Sequence, residues 1–186
     1  ALNIATKPSQ QTVINNWAAF IQNESIRSFG SVHPDAPNAV EELYRIKSLG
    51  LSGVKLHPDY QDFFIDDKKL FPVYEAISEL GLPVVFHTGR DSLFSEGTHA
   101  PPAAVARVAD LFPRMTIIAA HMGGMAMYGE VEESLMGKNV FFDTAMSMFW
   151  CTPRQFESLV NRHGAERVLF GSDCPWSRSC DQFAFI

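Results

Sequence analysis

Short apolar runs alternate with amphipathic stretches along the whole chain, in a repeating order. The apolar runs are Leu2–Ala5, Ile26–Val32, Gly53–His57, Pro83–His87, Thr116–His121, Val140–Thr144 and Val168–Gly171. Several are continuous blocks (VVF, TIIAA, VFF, VLF) with no polar alternation, the pattern of strands buried on both faces of a parallel sheet. Helical periodicity predicts helices between them, at about Gln10–Gln22, Pro37–Leu49, Lys68–Leu80, Pro101–Phe112, Met125–Leu135 and Pro153–Arg162. Thr152-Pro153-Arg154-Gln155 combines a capping box with proline at the first helical position. Gly50, Gly81 and Gly164 each stand where a helix should stop.

A strand followed by a helix, repeated about every 25 to 30 residues, indicates parallel βαβ units throughout. Two architectures fit: a doubly wound open sheet and a (β/α)8 TIM barrel. No GxGxxG follows the first strand, and no GxxxxGK[ST] phosphate loop occurs anywhere. Polar residues recur instead at the ends of many different strands, the way barrel enzymes assemble their sites. The barrel is the expected fold, with residues 1–186 forming a single domain.

Composition narrows the function classes. The chain has 186 residues, 46% hydrophobic and 19% charged, which is the make-up of one globular core. Its formal charge of −6 gives no footing for nucleic acid or an anionic membrane as partner. No apolar run reaches the roughly 18 residues of a membrane span. The opening ALNIATKPSQ lacks the features of a signal peptide. Three cysteines, Cys151, Cys174 and Cys180, show no CxxC spacing and read as reduced thiols of a cytoplasmic protein. A small-molecule substrate is the expected partner, with a homo-oligomer compatible.

The histidines carry the chemical information. Four of six terminate apolar runs: His33 in SVHP, His57 in VKLHP, His87 in VVFHTG and His121 in IAAHMGG. Asp173 ends the last run in LFGSDCP. In a barrel all these ends face one mouth, so residues distant in sequence converge. Neutral imidazoles with a carboxylate suit a divalent ion, zinc first, with manganese or iron also compatible. Such an ion activates water or polarises a substrate oxygen.

The segments GVKLHP, PVVFHTG, AHMGG and VLFGSDCP, in this order and spacing, resemble the amidohydrolase-2 group of the amidohydrolase superfamily, which is related to aminocarboxymuconate-semialdehyde decarboxylase. The resemblance runs from the second barrel strand to just past the eighth. It implies that His87 is the strand-five metal ligand. It further implies that His121 acts beside the metal on substrate or water, and that Asp173 is both metal ligand and general base. Lys55 falls where binuclear relatives carry a carboxylated lysine, although VKLHP resembles the mononuclear branch. The family's HxH pair of ligands belongs to a preceding strand and does not occur here. The chain is therefore expected to cover strands two to eight, incomplete at both ends and without the helix that follows strand eight.

Each candidate also has a structural reading. His87 and Asp173 suit buried polar groups satisfied by backbone, and His121 suits a turn. His33 and His57, each before proline, suit strand exits as well as substrate contact. Lys55 divides between anion binding and a paired barrel lysine. Arg90 divides between a clamp on a substrate carboxylate and a solvated loop arginine. His99 lies in a long loop, Asp91–Ala100, placed to cover the site, and His163 suits a helix C-terminus. For Phe149, Trp150 and Trp176 the default is core packing, with walls of an apolar pocket as the alternative.

The resulting expectation is a metal-dependent hydrolase. His87 and Asp173 hold the metal, Asp173 and His121 are catalytic, and Lys55, His57 and Arg90 contact substrate. A non-oxidative decarboxylase and an inactive binding fragment are the alternatives.

Overall fold

The computed structural model describes residues 1–94 and 97–186, and the centre of the expected loop Asp91–Ala100 lies outside them. Five short parallel strands form one sheet in sequence order: β1 (Val54–Leu56), β2 (Val84–Phe86), β3 (Ile117–Ala119), β4 (Phe141–Asp143) and β5 (Val168–Leu169). The register pairs Val54 with Val84, Val84 with Ile117, Ile118 with Phe141 and Phe142 with Val168. Strands joined only to their sequence neighbours, all parallel and each crossing over through a helix, make part of a (β/α)8 barrel.

The helices are α1 (Gln11–Ile21), α2 (Ala39–Ser48), α3 (Phe71–Leu80), α4 (Pro102–Leu111), α5 (Tyr128–Ser134), α6 (Ser147–Trp150), α7 (Pro153–His163) and α8 (Ser179–Phe185). The Thr152 capping box forms as expected, with Pro153 in the first turn, and Gly81 closes α3 in the left-handed conformation. Three expectations need correction. The first two strands are reduced to isolated bridges, Leu2 with Phe29 and Gly30 with Val54. A helix does follow the last strand, and α6 was not legible in the sequence. Burial explains the first case. Ser28 and Ser31 are buried polar residues, and Asn15 replaces ladder bonds by taking the Ser31 N–H and donating to its carbonyl.

Val54, Leu56, Val84, Phe86, Ile117 and Phe142 of the strands are wholly buried, and α2, α3, α4 and α5 pack against this core through Leu43, Ile46, Tyr74, Ile77, Val105, Val108 and Val131. Tyr74 sits at the centre, edge-on to Phe86 and Phe112, and its hydroxyl donates to the Ile65 carbonyl at 2.7 Å. Truncating such a side chain to alanine costs about 3–5 kcal/mol.

His163 is buried rather than exposed at the end of α7. Its ring stacks on Phe142, 3.9 Å between centroids, and Nε2 lies 2.8 Å from the Val140 carbonyl. Burial lowers its pKa, so it acts as a neutral core group and not as a cation on the helix dipole.

Candidate metal centre

The carboxyl ends of β1, β2 and β3 place His57, His87 and His121 side by side, each buried to within 5% of full exclusion. The first two rings stack with centroids 4.1 Å apart, and the second and third meet edge to face at 4.8 Å. Two local devices hold this geometry. Gly89 adopts φ +83° where the chain leaves β2, and a Cβ there would stand 2.1 Å from the Met125 nitrogen. Only glycine lets that segment close against Met125, with Met125 N–H donating to Thr88 and Arg90 N–H to Met125. His121 and Met122 are left-handed, at φ 61° and 56°, an unfavourable conformation for side chains of this size. Asp143 at the end of β4 stabilises it, since Oδ1 accepts the His121 N–H at 2.9 Å and its carbonyl accepts the Met122 N–H at 2.7 Å.

Hydrogen bonds fix which nitrogen bears each proton. His121 Nδ1 lies 3.1 Å from the Ala145 carbonyl, which only accepts, so Nδ1 carries hydrogen. His121 Nε2, 3.0 Å from His87 Nδ1, is then the acceptor and His87 Nδ1 the donor. That leaves a bare lone pair on His87 Nε2, buried and without a hydrogen-bond partner among the described residues. Burial holds the His87 pKa well below its ordinary value, with the neighbouring imidazoles adding to the effect, so the ring is neutral.

Facing this lone pair is Asp91 Oδ2 at 3.8 Å, with Asp59 Oδ2 at 4.0 Å. His57 Nδ1 accepts the Tyr60 N–H at 3.3 Å, which puts its proton on Nε2, 3.5 Å from Asp91. Burial lowers the His57 pKa despite that carboxylate. Burial also works against the charge of Asp91, yet hydrogen bonds from His57 and the Leu93 N–H outweigh it and hold Asp91 ionised, with its pKa below the usual range.

One donor atom each from His57, His87 and Asp91 lies within 4.8 Å of the others, a spacing fit for a cation. A neutral imidazole lone pair opposite an ionised carboxylate, with no proton between them, is chemically complementary to a divalent ion. The residues present therefore fit a metal.

The remaining candidates take various places. Lys55, on β1, is buried, and desolvation lowers its pKa to about 8 against the pull of Asp143 and Asp173. Asp173, left-handed at φ 61°, is exposed beyond β5, and among the described residues no bond joins it to the histidines. His33 is buried in its own turn, where Nδ1 accepts the Asp35 N–H. Arg90 is exposed and lines a cavity of about 500 Å³ with Asp91, Phe94, Met125, Met127 and Trp150. Trp150 thus walls a pocket instead of filling the core, and Trp176 is 70% exposed.

Four contributors escaped the sequence reading: Asp59, Asp91, Gln61 and Asp143. Asp91 follows His87 by four residues, and Asp59 and Asp35 share a His-Pro-Asp turn, the only signals either offered. Gln61 ties the exit of β1 to the two segments that precede it. Its amide donates to Ala5 and Val32, and its oxygen accepts the His57 N–H.

A family model described as amidohydrolase matches residues 4–185. The chain is also similar to solved structures. Against 5-carboxyvanillate decarboxylase from Sphingomonas paucimobilis the TM-score is 0.73 at 19% identity, over 96% of this chain and 66% of that one. Against 2,6-dihydroxybenzoate decarboxylase from Rhizobium it is 0.66 at 19% identity, over 95% and 68%. A dihydroxybenzoic acid decarboxylase from Polaromonas with bound manganese and 2-nitroresorcinol gives 0.70 at 17% identity, over 95% and 69%. The chain thus spans about two thirds of the length of these proteins. No curated protein matches its sequence.

Proposed function

The chain belongs to the amidohydrolase family, and from that premise we propose that it serves a divalent-metal-dependent enzyme that removes CO2 from a small aromatic carboxylic acid. The observation that carries this reading is the unshared lone pair of His87 Nε2, buried opposite Asp91 and beside an aromatic cavity rimmed by Arg90. A metal bound there, zinc or manganese, supplies positive charge that orients a substrate oxygen and stabilises developing negative charge.

In this reading the chain's own residues do the rest. His87 and Asp91 would hold the ion, with Asp173 at the mouth beyond β5 as the acid–base group. His121 fixes the tautomer of His87 through its own bond to Ala145. The cavity walls, Phe94, Met125, Met127 and Trp150, take up an aromatic ring and exclude water from it. Arg90 receives an anionic substituent, and the buried ammonium of Lys55 adds positive potential beneath the site. The bond between carboxyl carbon and ring carbon breaks, its electron pair stays on the ring and CO2 leaves, and a proton taken up from water and relayed by Asp173 replaces it on the ring. His57 keeps Asp91 turned toward His87.

Hydrolysis is the second reading, favoured by the family's name and by the ability of the same constellation to activate water, with Asp173 as base. One experiment separates them. The protein loaded with Mn2+ is given a panel of hydroxybenzoic acids and, separately, simple amides, esters and lactones. CO2 release from an aromatic acid is expected. Turnover of the second panel alone, without CO2, would overturn decarboxylation in favour of hydrolysis.

A further inference from the structure

His121 and Ala145 meet on a single oxygen at the end of β4. Asp143 Oδ1 accepts the His121 N–H at 2.9 Å and the Ala145 N–H at 3.0 Å. The Ala145 carbonyl in turn accepts from His121 Nδ1 at 3.1 Å. These bonds close a loop that runs from the His121 amide through Asp143 to the Ala145 amide, and from Ala145 back to the His121 ring. The loop needs lone pairs on Oδ1 and does not depend on the charge of Asp143.

The loop is anchored on both sides. The Asp143 carbonyl accepts the Met122 N–H at 2.7 Å, so this one residue holds both members of the left-handed pair, His121 and Met122. On the other side, the Thr144 N–H donates to the Leu169 carbonyl of β5. Thr144 Oγ1 accepts the Gly171 N–H at 3.0 Å and donates to the Gly171 carbonyl at 2.9 Å. Gly171 packs against the aspartate, and a Cβ there would stand 3.4 Å from Asp143 Cβ and Cγ. Without the acceptor at Oδ1, nothing in this loop holds the His121 backbone at φ 61°, and its ring is free to leave the Ala145 carbonyl.

From this closed loop we infer that Asp143 is a positioning residue for the proposed metal ligand His87: it keeps the proton of His121 on Nδ1, and through His121 Nε2 it keeps the proton of His87 on Nδ1. The inference rests on the metal reading above for its consequence, while the proton positions belong to the metal-free chain. Among the described residues no hydrogen bond joins Asp143 to His87, and the path between them runs through the 3.0 Å contact of the two imidazoles. The His87 ring is placed separately, by its stack on His57 at 4.1 Å. Asp143 therefore decides which nitrogen of His87 is bare, and the stack decides where the ring lies.

Nitrogen-15 NMR of the imidazoles in the metal-free protein tests this, at about pH 8 where neutral rings prevail. In the unaltered chain His121 and His87 should each show a protonated Nδ1 and a bare Nε2. Asp143→Asn keeps an acceptor oxygen in place and is expected to keep both tautomers. Asp143→Ala removes it and should move part of the His87 proton to Nε2, with Mn2+ affinity lowered about tenfold. A His87 proton still wholly on Nδ1 in Asp143→Ala overturns the inference, as does a changed tautomer in Asp143→Asn. The His121 and Ala145 amides of the unaltered chain give a readout that no variant's folding affects. Both should exchange slowly with solvent, and fast exchange at either overturns the loop. Failure of the unaltered chain to bind Mn2+ overturns the metal reading alone, since the tautomers are read without the ion.

Discussion

His121 Nε2 lies 3.0 Å from His87 Nδ1, and this contact decides which nitrogen of His87 is free. The Ala145 carbonyl, which can only accept, sets the direction of the whole relay. In the metal-free arrangement both nitrogens of His121 are engaged, so its influence on chemistry runs through His87.

Replacing His121 by phenylalanine keeps an aromatic ring and removes the acceptor. His87 is then free to place its proton on either nitrogen. The expected result is a loss of about 10–100-fold in Mn2+ affinity, the usual effect of losing a group that orients a metal ligand. Titration of the variant checks it, and unchanged affinity would mean that stacking against His57 alone orients His87.

Acid should destabilise the metal-free protein in a defined order. His33, His57, His87 and His163 all have pKa values lowered by burial from 6.5. Between 6.5 and those lower values the unfolded chain binds more protons than the native one. Stability is therefore complete above pH 6.5 and falls as pH drops below it. A further loss follows below about pH 4, where Asp91 and Glu42, ionised in the native state through hydrogen bonds that outweigh burial, become protonated on unfolding. Melting temperatures from pH 8 down to pH 3 read this directly, and a flat profile between 6.5 and 5 would contradict it.

Lys55 extends the same trend to alkaline pH. Its pKa falls from 10.5 to about 8 on burial. Below pH 8 the native state carries the full cost of a buried ammonium, on the order of 3 kcal/mol. Above pH 8 the native lysine is neutral while the unfolded one is still charged, so stability contributed at this position rises until pH 10.5. Urea unfolding at pH 7.5 and pH 10 should show that Lys55→Met gains on the unaltered protein at the lower pH, and that the gain shrinks at the higher.

Gln61 is expected to matter more than any surface residue of its size. Its removal strands the Ala5 and Val32 carbonyls and the His57 N–H, all buried. With about 1–3 kcal/mol for each unsatisfied group, Gln61→Ala should lose roughly 3 kcal/mol or more. Gln61→Glu should be no better, because a carboxylate has no hydrogen to give the two carbonyls. An unchanged urea midpoint for Gln61→Ala would refute the account.

Arg90→Ala should raise KM for an acidic substrate about tenfold, with kcat nearly unchanged, since a charge-assisted contact remote from the breaking bond contributes equally to ground and transition states. A fall in kcat at constant KM would place Arg90 at the reacting centre instead.

Much of this molecule was legible from its sequence. Runs such as VVF and TIIAA, too short and too apolar for surface strands, fixed the parallel sheet, and the amphipathic stretches between them fixed its crossovers. Because strand ends in such a sheet must share one mouth, the sequence also determined that His57, His87 and His121 would be neighbours. It could not determine the first two strands, where Asn15 and Gln61 substitute side-chain bonds for a ladder, nor the helix Ser179–Phe185. Only tertiary structure decided the ligand environment. Asp59, Asp91 and the Ala145 carbonyl enter through turn geometry and left-handed backbone at His121, and proton positions follow from which acceptor each ring meets. Side-chain periodicity reports which face of an element is buried. It carries no information about the angle at which a chain leaves its strand, and those angles choose the atoms that meet.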